Sequence, residues 1–249
     1  MRARSRREPE RKLQRICGLA AVRALFARDP DRVERLFFET RLAVEVAPLC
    51  RHLAERRKPY REVAADELAR VAGTVLHGGV AAVARLRPLP GLERSDVAAW
   101  GRDGRPLVVL DGIGNPHNLG AIARSAAFFG WERLVLADRP EQALPSDASY
   151  RVAEGGLEHM SLYHARLPQA LRWLKPAFHV VGTALERGVA PEVVRNRPVA
   201  LVLGNEETGL AAATLAVCDT VVNIPGSGRV QSLNVAAAAA VLFYALGGS

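Results

Sequence analysis

Val199 to Leu203 is apolar at every position. A strand with one face in water alternates polar and apolar residues, so an unbroken run belongs to a strand covered on both faces. Leu107 to Leu110 has the same character, and Leu134 to Ala137, His179 to Thr183 and Val221 to Ile224 read as further strands. Helical spacing puts helices at Leu119 to Phe129 (closed by Gly130), Leu167 to Leu174, Leu210 to Val217 and Ser232 to Leu246. Strands alternating with helices call for a parallel sheet with helices on both faces.

The earlier residues alternate on a smaller scale. A helix starts near Gly18, with Leu19, Val22, Leu25 and Phe26 on one face, and Asp29-Pro30 breaks it. Val33 to Phe38, Tyr60 to Val63 and Val80 to Leu86 read as strands. Leu42 to Arg56 reads as a helix, and Asp66 as the cap of another that runs to Val71. Pro88, Pro90, Gly91, Gly101, Gly104 and Pro106 then punctuate the chain. We therefore expect a basic flexible tail at 1–15, a small α/β domain at 16–87, a linker at 88–105 and the parallel-sheet domain at 106–249. Two domains suit a length of 249 residues.

The charge is as uneven as the breakers. Residues 1–100 hold 21 Lys+Arg against 13 Asp+Glu, which is +8. Residues 101–249 hold 13 of each, so the whole net charge of +8 lies in the first part. Such a segment suits a polyanion, because phosphate contacts release counterions. Only Lys12, Lys58 and Lys175 are lysines. The arginine excess is equally compatible with coding bias, an acidic protein partner or a solvated tail.

Cys17, Cys50 and Cys218 are far apart and odd in number, which argues against a disulfide scaffold or a zinc ribbon. The apolar run Val235 to Leu246 is shorter than the roughly 20 residues that span a bilayer. Arg23 interrupts the apolar stretch near the N-terminus, so no secretory signal is read. These features lead us to expect a cytoplasmic protein without membrane association.

Three loops follow strands of the second domain. They are Asp111-Gly-Ile-Gly-Asn-Pro-His-Asn118, Gly204-Asn-Glu-Glu-Thr-Gly-Leu210 and Pro225-Gly-Ser-Gly-Arg-Val-Gln-Ser-Leu-Asn234. Ligands bind such sheets beyond the carboxyl ends of the strands, where glycines allow close backbone approach. Asn118 and Ser232 stand where helix caps stand. Taken singly, Arg124, Glu206 and Glu207 read as surface charges, but the convergence of three such loops points to a site. Rival motifs fail. No Lys follows Gly209 as a phosphate-binding loop requires, and Gln231 replaces the third glycine of a dinucleotide fingerprint.

Asn115-Pro-His-Asn-Leu-Gly-Ala-Ile-Ala-Arg-Ser125, Leu203-Gly-Asn-Glu-Glu-Thr-Gly-Leu210 and Ile224-Pro-Gly-Ser-Gly-Arg-Val-Gln-Ser-Leu-Asn-Val235 resemble the three motifs of the SpoU/TrmH family. These are 2′-O-ribose RNA methyltransferases of the SPOUT class. The resemblance covers about residues 106–249, in the family's order. Gly18-Leu-Ala-Ala-Val22 and His77-Gly-Gly-Val-Ala-Ala82 also resemble the family's N-terminal substrate-binding domain. The chain departs from the family at Gly226, often Met, at Gly78, often Gln, and at Ala153-Glu-Gly-Gly-Leu157, often a Ser-Ala-Gly-Ala-like stretch. The pattern is similar to a poorly characterised tRNA/rRNA methyltransferase subgroup.

The resemblance implies a C-terminal parallel sheet with a deep trefoil knot, S-adenosylmethionine as methyl donor, and a tRNA or rRNA partner. It also implies a homodimer through the C-terminal domain. The helix Val235 to Leu246 suits such an interface and suits core burial equally. By the same resemblance, Asn118, Arg124, Glu206, Ser232 and Asn234 are catalytic, while Gly204, Ile224 and Leu233 hold the donor; no metal is needed. Transfer to a ribose hydroxyl requires alignment and the removal of a weakly acidic proton. The family's candidate for that proton is Arg124. A guanidinium is a poor base, so Arg124 either accepts the proton transiently or binds phosphate and polarises the hydroxyl. Two rivals stand beside this reading: a catalytically silent RNA-binding protein of the same fold, and a nucleotide-binding dehydrogenase.

Overall fold

The structure is a computed structural model that describes residues 13–185, 188–194 and 198–247. The chain divides into two compact units, one ending at Pro88 and one starting at Leu89. The first comprises β1 (Leu13–Cys17), α1 (Leu19–Arg28), β2 (Val33–Phe38), α2 (Ala43–Glu55), β3 (Tyr60–Glu62), α3 (Ala65–Ala72) and β4 (Val80–Arg85). Its sheet runs β1-β4-β2-β3, antiparallel except for the parallel pair β2–β3. Val22, Leu25, Leu36, Val46, Leu53 and Leu68 are buried in it.

The tail expectation needs correction at its end. Leu13 to Arg15 belong to β1, paired with Arg85 to Val83 of β4. Gln14 and Ile16 point inward while Leu13 and Arg15 are exposed, so a strand with this alternation reads locally as polar sequence. The rest of the expected tail, 1–12, lies outside the described residues. Asp66 sits in the first turn of α3, and Ala64 occupies the cap position.

The second unit comprises α4 (Arg94–Asp103), β5 (Leu107–Asp111), α5 (Pro116–Phe128), β6 (Arg133–Ala137), α6 (Asp147–Ala153), α7 (Gly156–His159) and β7 (Ser161–Ala165). It continues with α8 (Gln169–Leu174), β8 (His179–Thr183), β9 (Val199–Gly204), α9 (Ala212–Leu215), β10 (Thr220–Val222) and α10 (Val235–Leu246). The six strands form one parallel sheet in the order β10-β8-β9-β5-β6-β7. β5 and β9 are buried throughout, as their unbroken apolar runs predict. Each Val or Leu so hidden contributes about 1.5–3 kcal/mol.

The expected linker is also corrected. Most of it is helix α4, started by a capping box in which Asp96 Oδ2 accepts from the Glu93 N–H at 2.9 Å. Gly101 lies inside α4 because a Cβ there would come within 2.8 Å of Ala177 Cβ. Gly104 ends the helix in the left-handed conformation. Pro90 and Leu92 exchange backbone hydrogen bonds with His164 on β7. The breakers are real, but they shape an ordered helix rather than a linker.

Candidate active site

Two helix starts bring the motifs together. Asn115, not Asn118, caps α5: its Oδ1 accepts from the His117 N–H at 2.8 Å, and Pro116 takes the first helical position. Asn118 is thereby one turn into the helix. Asn234, not Ser232, caps α10 by accepting from the Ala236 N–H at 2.9 Å. Ser232 lies outside the helix, exposed.

The cap fixes more than the helix. With Asn234 Oδ1 engaged as acceptor, its Nδ2 donates to Asn118 Oδ1 at 3.1 Å. Asn118 Nδ2 then donates to Glu206 Oε1 at 2.6 Å. Each amide has one orientation that satisfies both neighbours, so the chain Asn234–Asn118–Glu206 runs in a single direction. It joins residues 88 and 116 positions apart in sequence.

Supporting contacts hold the loops that carry these groups. Asn205 Oδ1 accepts from the N–H groups of Glu207 and Thr208 at 2.9 and 3.1 Å, and its Nδ2 donates to the Gly112 carbonyl at 2.8 Å. Asn205 and Gly209 exchange backbone hydrogen bonds, which folds the loop back on itself. A Cβ on Gly204 would lie 2.4 Å from that returning backbone at Gly209 and Leu210. Gly204 is therefore required by the turn rather than by a ligand's approach. At the end of β5 the buried Asp111 accepts from Arg139 Nη1 at 2.7 Å and from the Ala211 N–H at 3.3 Å. Gln142 braces the first loop by accepting from the Gly112 and Ile113 N–H groups.

A cavity of about 330 Å³ opens beside this network. Gly204, Glu206, Ile224, Ser232, Leu233 and Asn234 all line it. So do Thr183 at the end of β8, Ala184 and Leu185 just beyond it, and Leu242 of α10. Ligand cavities span about 300–1,000 Å³ and combine apolar walls with a few polar groups. The apolar Leu203, Ile224 and Leu233 with the polar edge of Glu206 and Asn234 fit a ligand with a flat ring and a charged end. Among the described residues no cluster of three or more His, Cys, Asp or Glu offers a metal site, and no helix is long and apolar enough to cross a membrane.

Arg124 stands apart. It lies further along α5, does not line the cavity, and its Nη1 donates to Glu154 Oε1 at 3.0 Å. The structure thus gathers seven of the eight expected site residues and places the eighth elsewhere on the same helix.

Several supporting residues escaped the sequence reading. Asn205 lay inside a motif, and Thr183 to Leu185 stand at the carboxyl end of a recognisable strand, so both carried a signal. Gln142, Arg139 and Glu154 carried none, because their partners are 29, 28 and 30 positions away.

Comparison with known proteins agrees with this geometry. Residues 105–244 match the SpoU rRNA methylase family, and residues 15–89 match the RNA 2′-O-ribose methyltransferase substrate-binding domain. A 23S rRNA (guanosine-2′-O-)-methyltransferase RlmB from Acinetobacter baylyi is 33% identical over 91% of this chain and 94% of its own length. An uncharacterized tRNA/rRNA methyltransferase YfiF from Escherichia coli O157:H7 is 34% identical over 92% of this chain and 66% of its own. The crystal structure of the SpoU methyltransferase AviRb from Streptomyces viridochromogenes, in complex with AdoMet, superposes with a TM-score of 0.76 at 26% identity. That match covers 94% of this chain and 89% of AviRb. Three converging motif loops, a parallel sheet and matches to both domains lead to one conclusion: the chain belongs to the SpoU rRNA methylase family.

Proposed function

We propose that this SpoU-family RNA 2′-O-ribose methyltransferase, with S-adenosylmethionine as donor, methylates a ribose 2′-hydroxyl of 23S ribosomal RNA. The observation that carries the reading is the directed hydrogen-bond chain Asn234–Asn118–Glu206 at the rim of the cavity. The rRNA assignment draws on the RlmB relatives, which align over nearly their whole length. The donor supplies an activated methyl group on a sulfonium.

The chain's own residues supply alignment and charge. Gly204 keeps the second loop folded, and Ile224 and Leu233 offer apolar walls to the donor's base. Glu206 holds Asn118, and Asn118 and Ser232 orient the acceptor ribose. Asn234 joins the start of α10 to this set. Arg124 serves as a cation toward the acceptor's phosphate or hydroxyl, since a guanidinium keeps its proton.

The reading includes a knotted C-terminal segment, a cytoplasmic location and a homodimer. For the dimer, Phe128 and Tyr244 are 82% and 77% exposed. Phe129 packs between them, with ring centroids 5.1 Å from Phe128 and 6.2 Å from Tyr244. An aromatic patch at the end of α5 and on α10 suits a protein partner, and a second copy is the one the family supplies.

The test is a map of 2′-O-methyl positions in rRNA and tRNA from cells with and without the protein. One 23S position losing its methyl group is the expected result. Loss confined to tRNA would overturn the substrate, and an unchanged map in both would favour the silent RNA-binding module.

A further inference from the structure

Arg124 and Glu154 are both 56% exposed, and an isolated surface ion pair holds little in place. This pair differs because its backbones are locked together. Glu154 caps the end of α6 with a left-handed φ of 45°, a conformation that a non-glycine residue adopts at a cost. Gly155 follows with φ 94°, and Gly156 then presses against α5. A Cβ at Gly156 would lie 2.7 Å from Arg124 Cα and 2.9 Å from the Ala123 carbonyl oxygen. Gly120, one turn earlier on α5, meets α6 as closely, with Ser149 O 2.4 Å from where its Cβ would be.

Two glycine contacts therefore seat the α6–α7 corner on α5, and the corner delivers one carboxylate to Arg124. Glycine would relieve the backbone cost at position 154, yet a glutamate stands there. Residues kept in costly conformations mark places where function outweighs local stability. We propose that Glu154 is a positioning residue that holds the Arg124 guanidinium in the orientation needed at the acceptor nucleotide. Arg124 is long and rotamer-rich, and a carboxylate on one edge of its planar fork leaves the other edge aimed and free to bind. The inference rests on the role given to Arg124 above.

Glu154→Gly and Glu154→Asn test it, because both residues tolerate the left-handed conformation and neither carries charge. For each, kcat on the RNA substrate should fall about tenfold to a hundredfold, as expected for a misplaced catalytic group. KM for RNA and affinity for S-adenosylhomocysteine should stay within about twofold, and Tm of the glycine variant should not drop. Glu154→Asp should recover part of the lost kcat. Unchanged or raised kcat in the glycine and asparagine variants would overturn the proposal, as would loss of kcat accompanied by a lowered Tm and weakened donor binding. Arg124→Ala runs beside them. If that variant is active, the role of Arg124 itself is wrong. If it is inactive while the Glu154 variants match wild type, only the positioning role falls.

Discussion

The two ends of α5 are organised differently. At its start, Asn118 bridges Glu206 and Asn234 in a one-way hydrogen-bond chain that closes on a capped helix, and both of those partners line the cavity. Six positions later, Arg124 is half-exposed, pairs with the Glu154 carboxylate, and does not line that cavity. The first arrangement suits a ligand bound in one pose. The second suits a group that meets its partner only when RNA arrives. On the function proposed above, the start of α5 aligns the ribose beside the donor cavity, while Arg124 serves the acceptor away from it.

The sharpest way to break this division is Arg124→Ala. Turnover should fall by about two to four orders of magnitude, the range for loss of one catalytic group. Donor affinity by calorimetry should stay within about threefold. Arg124→Lys should fail too, since a point ammonium lacks the planar fork. Weakened donor binding in either variant would erase the distinction.

Asn118→Asp should come next. It sets an acceptor against Glu206 Oε1, where the native amide donates at 2.6 Å. We expect turnover to fall about a hundredfold, with a larger loss than in Asn118→Ala, because the alanine removes a bond while the aspartate adds repulsion. An aspartate variant more active than the alanine one would contradict the direction of the chain.

Gly204→Ala should act through the fold. Its Cβ would meet backbone atoms 2.4 Å away, so a loss of about 3 kcal/mol in unfolding free energy is expected, with donor binding lost as the loop moves. Full stability with weakened binding would return Gly204 to a direct contact role.

The smallest effect is a control at residues outside the proposed site, Cys50 on α2 and Cys218 and Asp219 just before β10. Burial, reinforced by the Asp219 carboxylate, pushes the Cys218 thiol up to about 11, and burial also raises Cys50. The folded chain should therefore react slowly with iodoacetamide at pH 8 and rapidly in guanidinium, followed by mass spectrometry. Asp219 itself is lowered: its burial penalty is outweighed by hydrogen bonds from the Val180 N–H and Lys175. Its stabilising contribution is complete above its unfolded value, near about 3.9, and is lost as pH falls through the lower folded value. Acid unfolding that leaves pH 5 stability unchanged is the expected profile, and neither change should touch donor binding at neutral pH.

Much of the second unit was legible because burial on both faces writes itself as unbroken apolar runs, as in Val199 to Leu203. The expected helix Leu119 to Phe129 began three residues late because Asn118 resembles a cap as well as Asn115 does. β1 was missed because an edge strand with one wet face, Leu13 to Cys17, carries arginine and glutamine. α4 was missed because Gly101 is there for packing, and a packing glycine looks like a breaker. The motif residues were found through their resemblance to a family. The contact that separates Arg124 from them was not, since a left-handed Glu154 leaves no mark on sequence.

The activity proposed for this site is ribose methylation of 23S rRNA. Its most direct test is transfer of a labelled methyl group from S-adenosylmethionine to 23S rRNA by the purified full chain, with the product digested to nucleosides. The label should appear in a single 2′-O-methyl nucleoside, and Arg124→Ala should abolish it. Label in a methylated base, or transfer to tRNA with none to 23S rRNA, would contradict ribose methylation of 23S rRNA by this chain.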